Sequence, residues 1–425
     1  MTQDTEDELT PRHPPIWKKT EGVACSFDHL PPISFGAATF GNAYSQDDHL
    51  RSQTPLKAVR LALRYGLAYF DTSPYYGHSE EVLGGVLDSL RDEFPRDSYM
   101  IVTKTGRYGL KKQDFDYSPQ RVKESVKESL RRLKTDYLDL VYLHDVEYVA
   151  DLDADDLKSP RNFKSEGLRT PSWRIFSHSN MISDILYVVQ EGVRNPSDLK
   201  FLADETSLAR SRGPGDEKII QAAATLFQLK DEGIIRNVGI SGYPLPTLLR
   251  LSILIRLRLQ RPLDAIMSFS HSNLQNYSLA DYTPHFHDSA GVKNILTASP
   301  LNMGLLTERG PPSWHPSPAG LRDTAHRAAD MCRERGTTLM KVAEGFSMRW
   351  DEFVGRTTGK SGGPPSTVVV GLSNPREVHE AVDVYVSLKE KEEREKHDED
   401  MKLVMKVFQE DGWANWNWVE EELTK

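Results

Sequence analysis

Eight short runs rich in β-branched and aromatic residues alternate along this chain with amphipathic segments, and few folds accept that order. The runs are ISFGAATF (33–40), LAYFD (67–71), YMIVTK (99–104), LDLVYLH (138–144), IRNVGIS (235–241), DAIMSF (264–269), KNILTAS (293–299) and STVVVG (366–371). Helical periodicity marks 55–65, 79–90, 118–133, a segment from about 216, then 245–259, 319–335, 338–350 and 375–388. The helix at 118 opens on Ser118-Pro119, a cap followed by proline in the first turn. Near-continuous apolar strands separated by helices predict a parallel sheet covered on both faces. Eight of them predict an α/β chain closed into a (β/α)8 TIM barrel. A doubly wound open sheet is the alternative. It would carry a GxGxxG turn, whereas Gly213-Pro214-Gly215 continues to Lys218 where the third glycine should stand.

Three segments lie outside the alternation. Residues 150–215 form a polar stretch with the acidic run DLDADD, far longer than a usual βα loop, and read as an insertion after the fourth strand. The acidic, proline-rich first 30 residues read as a disordered tail, which leaves 31–390 for the barrel. From 391 to 425 runs a C-terminal extension, a charged and solvated helix ending in WANWNW, whose tryptophans are expected to cover apolar surface.

A net charge of -9 argues against nucleic acid as a partner, because phosphate binding needs surplus lysine and arginine. Two cysteines, Cys25 and Cys332, provide neither a disulfide framework nor a thiolate zinc site. His285-Phe286-His287 lacks further ligands at suitable spacing, so no metal is expected. The most apolar stretch, 248–259, holds three arginines, which excludes it as a membrane span. The N-terminus lacks the apolar core of a signal peptide, so the expected compartment is the cytosol and the sequon at Asn276 is not expected to be used. Monomer and homodimer both remain open.

In a barrel of this kind, functional side chains project from the C-terminal ends of the strands. Asp71 ends the second strand, Tyr76 follows in its loop, Lys104 ends the third and His144 ends the fourth. A phenol alone exchanges protons sluggishly at neutral pH, and a neighbouring ammonium assists it. Lys104 is placed to supply that charge, with Asp71 holding the lysine and His144 orienting a substrate oxygen. Singly, each of these residues is common as a cap or a structural contact. Their joint appearance on three consecutive strand ends points to proton transfer coupled to hydride transfer.

The wording around them resembles the aldo-keto reductases. GLAYFDTSPYYG (66–77) resembles that family's signature, Lys104 after MIVT and His144 in DYLDLVYLHD match its lysine and histidine blocks, and GIIRNVGIS (233–241) matches a third block. The resemblance implies a catalytic tetrad of Asp71, Tyr76, Lys104 and His144, and cofactor contacts at Ser241, Ser268, Ser299, Leu301, Gly371 and Glu377. It also exposes departures. Gly242 stands where an asparagine is usual, Ser268 where a glutamine is usual, and Ala298 where many members place an aromatic ring against the nicotinamide.

TASPLNMGLLTERGPPSWHP (297–316), SFSHSN (268–273) and HDVEY (144–148) resemble the branch that oxidises L-galactose and D-arabinose. That resemblance implies oxidation of a free aldose at C1 to its lactone, without naming the sugar. Trp314 and His315 are candidates for its pocket. Gly371 and Glu377 occupy positions where NADP-preferring members carry lysine and arginine. A carboxylate there repels a 2′-phosphate and accepts from a ribose diol, so NAD is the expected cofactor, with Arg376 leaving NADP open. The competing readings are a general NADPH-dependent aldehyde reductase, acting for example on pyridoxal, and an accessory subunit that keeps the barrel without the chemistry.

Overall fold

The computed structural model describes residues 9–21, 24–41, 50–151, 208–358 and 367–417. Eight parallel strands close into a barrel in sequence order. They are β1 (Ile33–Gly36), β2 (Tyr69–Asp71), β3 (Met100–Thr105), β4 (Leu140–Leu143), β5 (Val238–Gly242), β6 (Ala265–Phe269), β7 (Asn294–Ala298) and β8 (Val368–Gly371). Pairing of Phe35 with Val370 and of Ala298 with Val369 completes the ring through β8. The expected TIM barrel is therefore the fold.

Helices follow the strands as the periodicity requires: α1 (Thr54–Tyr65), α2 (Ser79–Ser89), α3 (Pro119–Leu133), α4 (Pro214–Asp231), α5 (Leu245–Leu259), α6 (Leu279–Asp288) and α7 (Ala319–Glu334). Ser118 caps α3 by accepting from Arg121 N, and Gly66, at φ 84°, ends α1 in the left-handed conformation. The single helix expected over 338–350 is instead two, α8 (Leu339–Met348) and α9 (Trp350–Thr358). At the break, Arg349 leaves helical geometry and its guanidinium reaches Asp398 at 2.6 Å, while Trp350 stacks on Phe353. The last two helices are α10 (Pro375–Ser387) and α11 (Lys391–Glu410).

The terminal segments differ from their sequence reading. Much of the expected N-terminal tail packs on the barrel: Trp17, Cys25, Phe27 and Leu30 are buried, and Phe27 meets the ring of Tyr69 edge-on at 5.8 Å. Arg12 N also donates to Tyr65 Oη at 2.7 Å. These apolar residues are spaced without period, so they bind as single anchors and leave no strand or helix signal. The solvated helix expected in the C-terminal extension is amphipathic. Met401, Val404, Met405 and Phe408 form its buried face, and Asp400, also buried, pairs with Arg335.

Most of the long insertion, 152–207, lies outside the described residues, but its ends meet. Asp151 N donates to Asp216 Oδ1 at 3.2 Å, and Asp216 N donates back to Asp151 Oδ2 at 2.8 Å. Arg250 binds both carboxylate oxygens of Asp216, at 2.6 and 3.1 Å, and the carbonyl of Asp151. That knot joins the described residues on either side of the insertion, fixing the end of the β4 loop to the start of α4 and to α5. Arg250→Ala leaves a fully buried aspartate without its cation, and a stability loss of about 3 kcal/mol is expected in urea unfolding. A midpoint equal to that of the parent chain would show that the knot carries no weight.

Candidate active site

Asp71 and Lys104 sit at neighbouring strand ends, and both are buried. Lys104 Nζ donates to Asp71 Oδ1 at 2.6 Å and to the Thr72 carbonyl at 3.0 Å. Burial pushes the Asp71 carboxyl up and the adjacent ammonium pulls it down. Tyr76 is delivered by a tight turn in which its N–H donates to Ser73 O at 3.0 Å. A Cβ at position 41 would lie 2.3 Å from the Tyr76 carbonyl, so only glycine lets the two loops pass. Lys104 Nζ stands 4.7 Å from the centre of the Tyr76 ring, and the His144 ring stands perpendicular to it at 5.6 Å. The structure thus gathers the four side chains into one cluster.

His144 is buried beside charged side chains. Burial and the charges of Lys104 and Arg107 push its pKa well below the usual histidine value, so the ring is neutral. Ser73 Oγ accepts from Tyr75 N at 3.1 Å and lies 3.1 Å from His144 Nδ1. On the other side of the ring Nε2 faces Asp145 Oδ2 at 3.5 Å, a geometry that suits a proton on Nε2 with the Ser73 hydroxyl donating to Nδ1.

Around this cluster runs a second ring that the sequence reading did not identify. Arg107 pairs with Asp145, donates to Tyr75 Oη at 2.9 Å, and lies over the Tyr75 ring at 3.8 Å. Asp145 adopts a left-handed φ of 54° and brings Oδ2 to 3.5 Å from His144 Nε2. Tyr117 Oη donates to the His144 carbonyl at 2.6 Å. Glu147, also buried, accepts from Tyr243 N at 3.0 Å, and burial together with Asp145 pushes its carboxyl up to about 8. Asp145 and Glu147 both belong to HDVEY, quoted above only for its resemblance to a branch. Their chemical roles became visible only through partners on other loops.

The expected cofactor positions divide into three groups. Ser241 and Ser268 are buried at the ends of β5 and β6, where Gly242 pairs with Ser268. Ser241 Oγ has one long bond, 3.4 Å to Leu143 O, and the buried Ser270 Oγ and Glu147 Oε2 have no hydrogen-bond partner. Such orphaned polar atoms fit a polar ligand such as a carboxamide at this end. Ser299, at φ 61°, and half-buried Leu301 lie beyond β7. Gly371 is exposed at the end of β8, while Glu377 Oε2 accepts from Ser373 N and Oγ at 2.7 and 2.9 Å, closing the first turn of α10.

Aromatic surface absent at Ala298 appears one and two strands earlier, where Tyr243 and Phe269 pack with ring centres 5.2 Å apart. His315 is buried between Ser317 Oγ and Asn302 O, which makes it a loop staple, whereas Trp314 is 51% exposed. The C-terminal WANWNW segment does more than cover apolar surface. Asn417 Oδ1 accepts from Tyr243 Oη and Asn276 Nδ2 at 2.8 and 2.7 Å, and lies 3.1 Å from His271 Nε2, whose Nδ1 is 3.0 Å from Ser268 Oγ. The tail is therefore tied by polar bonds to the strand end that carries Ser268. Asn276 is itself buried, its amide spent on that contact. Among the described residues no cluster of metal-ligating side chains occurs, and no helix is long and apolar enough to cross a membrane.

Asp71→Ala strands the Lys104 ammonium in a buried site, and a loss of about 3–5 kcal/mol in folding stability is expected from chemical unfolding. An unchanged unfolding midpoint would mean that the pair is not what holds the lysine.

The Aldo/keto reductase family model matches residues 32–399. Over 361 residues the chain is 32% identical to D-arabinose 1-dehydrogenase of Saccharomyces cerevisiae, covering 84% of each protein. Over 355 residues it is 30% identical to L-galactose dehydrogenase of Arabidopsis thaliana, covering 82% of each. A solved glycerol dehydrogenase from Gluconobacter oxydans superposes with a TM-score of 0.53 at 19% identity, over 91% of this chain and 95% of that one, which bears on fold alone. With the barrel, the gathered side chains and these matches in hand, the chain belongs to the aldo/keto reductase family and is an oxidoreductase of the kind that uses NAD(P)H.

Proposed function

We propose that the protein oxidises a free aldose at C1 to the aldonolactone, with NAD as the preferred hydride acceptor and Tyr76 as the acid–base group. The observation that carries this reading is the placement of the Tyr76 ring between the Lys104 ammonium and the neutral His144 ring. The bound nicotinamide supplies the acceptor for the hydride leaving C1. Tyr76 takes the proton of the anomeric hydroxyl, and the Lys104 charge offsets the phenolate oxygen before that transfer. The His144 Nε2–H orients the sugar oxygen, in the tautomer that a Ser73 hydroxyl donating to Nδ1 favours. A cyclic hemiacetal that loses a hydride and a proton in this way becomes a lactone directly.

The substrate class is supported by the two sugar dehydrogenases to which the chain is similar over more than four-fifths of its length. Preference for NAD is supported by charge at the start of α10. Glu377 and Glu380 lie near one another, with Glu344 of α8 buried close to both and its carboxyl pushed up to about 8 by burial and those two charges. Arg376, facing them, is already paired with Glu380. A 2′-phosphate would meet acidic surroundings there, whereas a ribose diol finds acceptors.

A panel of free aldoses, offered with NAD and with NADP, tests this reading. NADH formation with a lactone identified by NMR is the expected result, with kcat/KM higher for NAD. Aldehyde reduction by NADPH with no lactone from any aldose would replace it with the general reductase, and no turnover at all with the accessory subunit. Tyr76→Phe should lower aldose turnover by about 10²–10⁴-fold while leaving the fold intact by circular dichroism. Undiminished turnover in that variant would remove Tyr76 from the mechanism.

A further inference from the structure

Gly242 ends β5 without a left-handed backbone, so its conformation gives no reason for glycine. The reason is space. A Cβ at 242 would stand 2.5 Å from Glu147 Oε2, and the next contact, Val146 Cγ2, is 3.4 Å away. Glu147 comes from the short turn Val146–Tyr148 that follows β4, so a carboxyl from one strand's loop fills the place of a side chain on the next strand.

That carboxyl is half used. Oε1 accepts from Tyr243 N at 3.0 Å, while Oε2 is buried and has no hydrogen-bond partner. The groups facing it are Asp145, whose charge opposes ionisation of Glu147, Arg107, which is held by Asp145, and the Tyr117 phenol. Burial and Asp145 raise its pKa to about 8, which favours the protonated carboxyl. Because Oε1 faces an N–H donor, the proton belongs on Oε2, which makes the orphaned atom a donor. A buried donor left unmatched costs free energy that a ligand oxygen would recover. Glu147 feels the charge of Asp145, whose Oδ2 lies 3.5 Å from His144 Nε2, so a single side chain links the orphaned carboxyl to the reaction centre.

We infer that Glu147 is a ligand-binding residue whose Oε2 hydrogen-bonds an uncharged oxygen of the bound reactants over Gly242. Two sources offer that oxygen: the carboxamide of the nicotinamide and a hydroxyl of the sugar. The first rests only on the family's cofactor, and the second on the aldose reading above.

The test uses the full chain with Glu147→Gln, Glu147→Ala, Gly242→Ala and the double variant Glu147→Ala/Gly242→Asn. Readouts are NAD and NADH dissociation constants by fluorescence titration, KM for the oxidised aldose, and melting temperature. If the parent chain turns over only aldehydes, the aldehyde KM takes the place of the sugar's. Glu147→Gln keeps an acceptor for Tyr243 N and a donor at the Oε2 position, and should bind like the parent. Glu147→Ala should weaken binding about five- to tenfold. Gly242→Ala, which pushes the carboxyl aside, should do the same. A raised nucleotide dissociation constant identifies the carboxamide, and restoration by the double variant confirms the exchange of positions. A raised substrate KM with unchanged nucleotide binding identifies the sugar hydroxyl. Unchanged values for both in Glu147→Ala overturn the inference. Equal losses in the Gln and Ala variants, tracking a lowered melting temperature, overturn it as well, because they mark a structural role.

Discussion

The ion pair between Lys104 and Asp71 is the interaction on which the rest of the site depends. Removing both charges from water costs several kcal/mol per ion, and a 2.6 Å bond with a second one to the Thr72 carbonyl offsets that cost only while the geometry holds. The barrel provides that geometry. β2 and β3 are locked in parallel register, with Asp71 opposite Val102 and Thr72 N continuing the ladder to Val102 O. On the other side of β3, buried Glu80 accepts from Thr103 Oγ1 and from Arg132, both at 2.6 Å, and so ties the strand to α2 and α3. Lysine and aspartate are thus fixed by strands and helices before any loop is considered. The Tyr76 ring and the neutral His144 then take their character from a cation that does not move.

Much of this was legible in the sequence because it is periodic or local. A barrel strand buried on both faces is written as an apolar run, and its helix as a stripe, so eight repeats of the pair name the architecture. Three of the tetrad residues sit on or immediately after such runs, and the fourth follows five residues later. The second ring had no comparable signal. Arg107 and Asp145 are 38 residues apart, Glu147 and Tyr243 are 96 apart, and each pair meets only because consecutive barrel strands place their loops side by side. Tyr243 and Asn417 are separated by 174 residues, and no spacing rule links them.

Two misreadings have different physical origins. In α11 the charges that suggested a solvated helix occupy one face, while Met401, Val404, Met405 and Phe408, at helical spacing, occupy the other. The pattern was present but outweighed by composition. The N-terminal segment has no pattern to find. Trp17, Cys25, Phe27 and Leu30 each enter the core singly, and Trp17 passes so close to α1 that a Cβ on Gly66 would lie 2.1 Å from its carbonyl. Anchors of that kind are fixed by shape and backbone approach, which a single sequence does not display.

Charge at the mouth is paired within the protein. Lys104 is matched by Asp71 and Arg107 by Asp145, so the two cations nearest Tyr76 are each compensated within the protein. Breaking either pair would leave a buried ion alone at a cost of about 3–5 kcal/mol. Around the Arg107–Asp145 pair stand the His144 ring, the Tyr75 phenol and the Glu147 carboxyl, each held close to one of its charges. The left-handed backbone of Asp145 serves this pairing. That conformation returns its carboxylate toward Arg107, whose guanidinium lies over the Tyr75 ring.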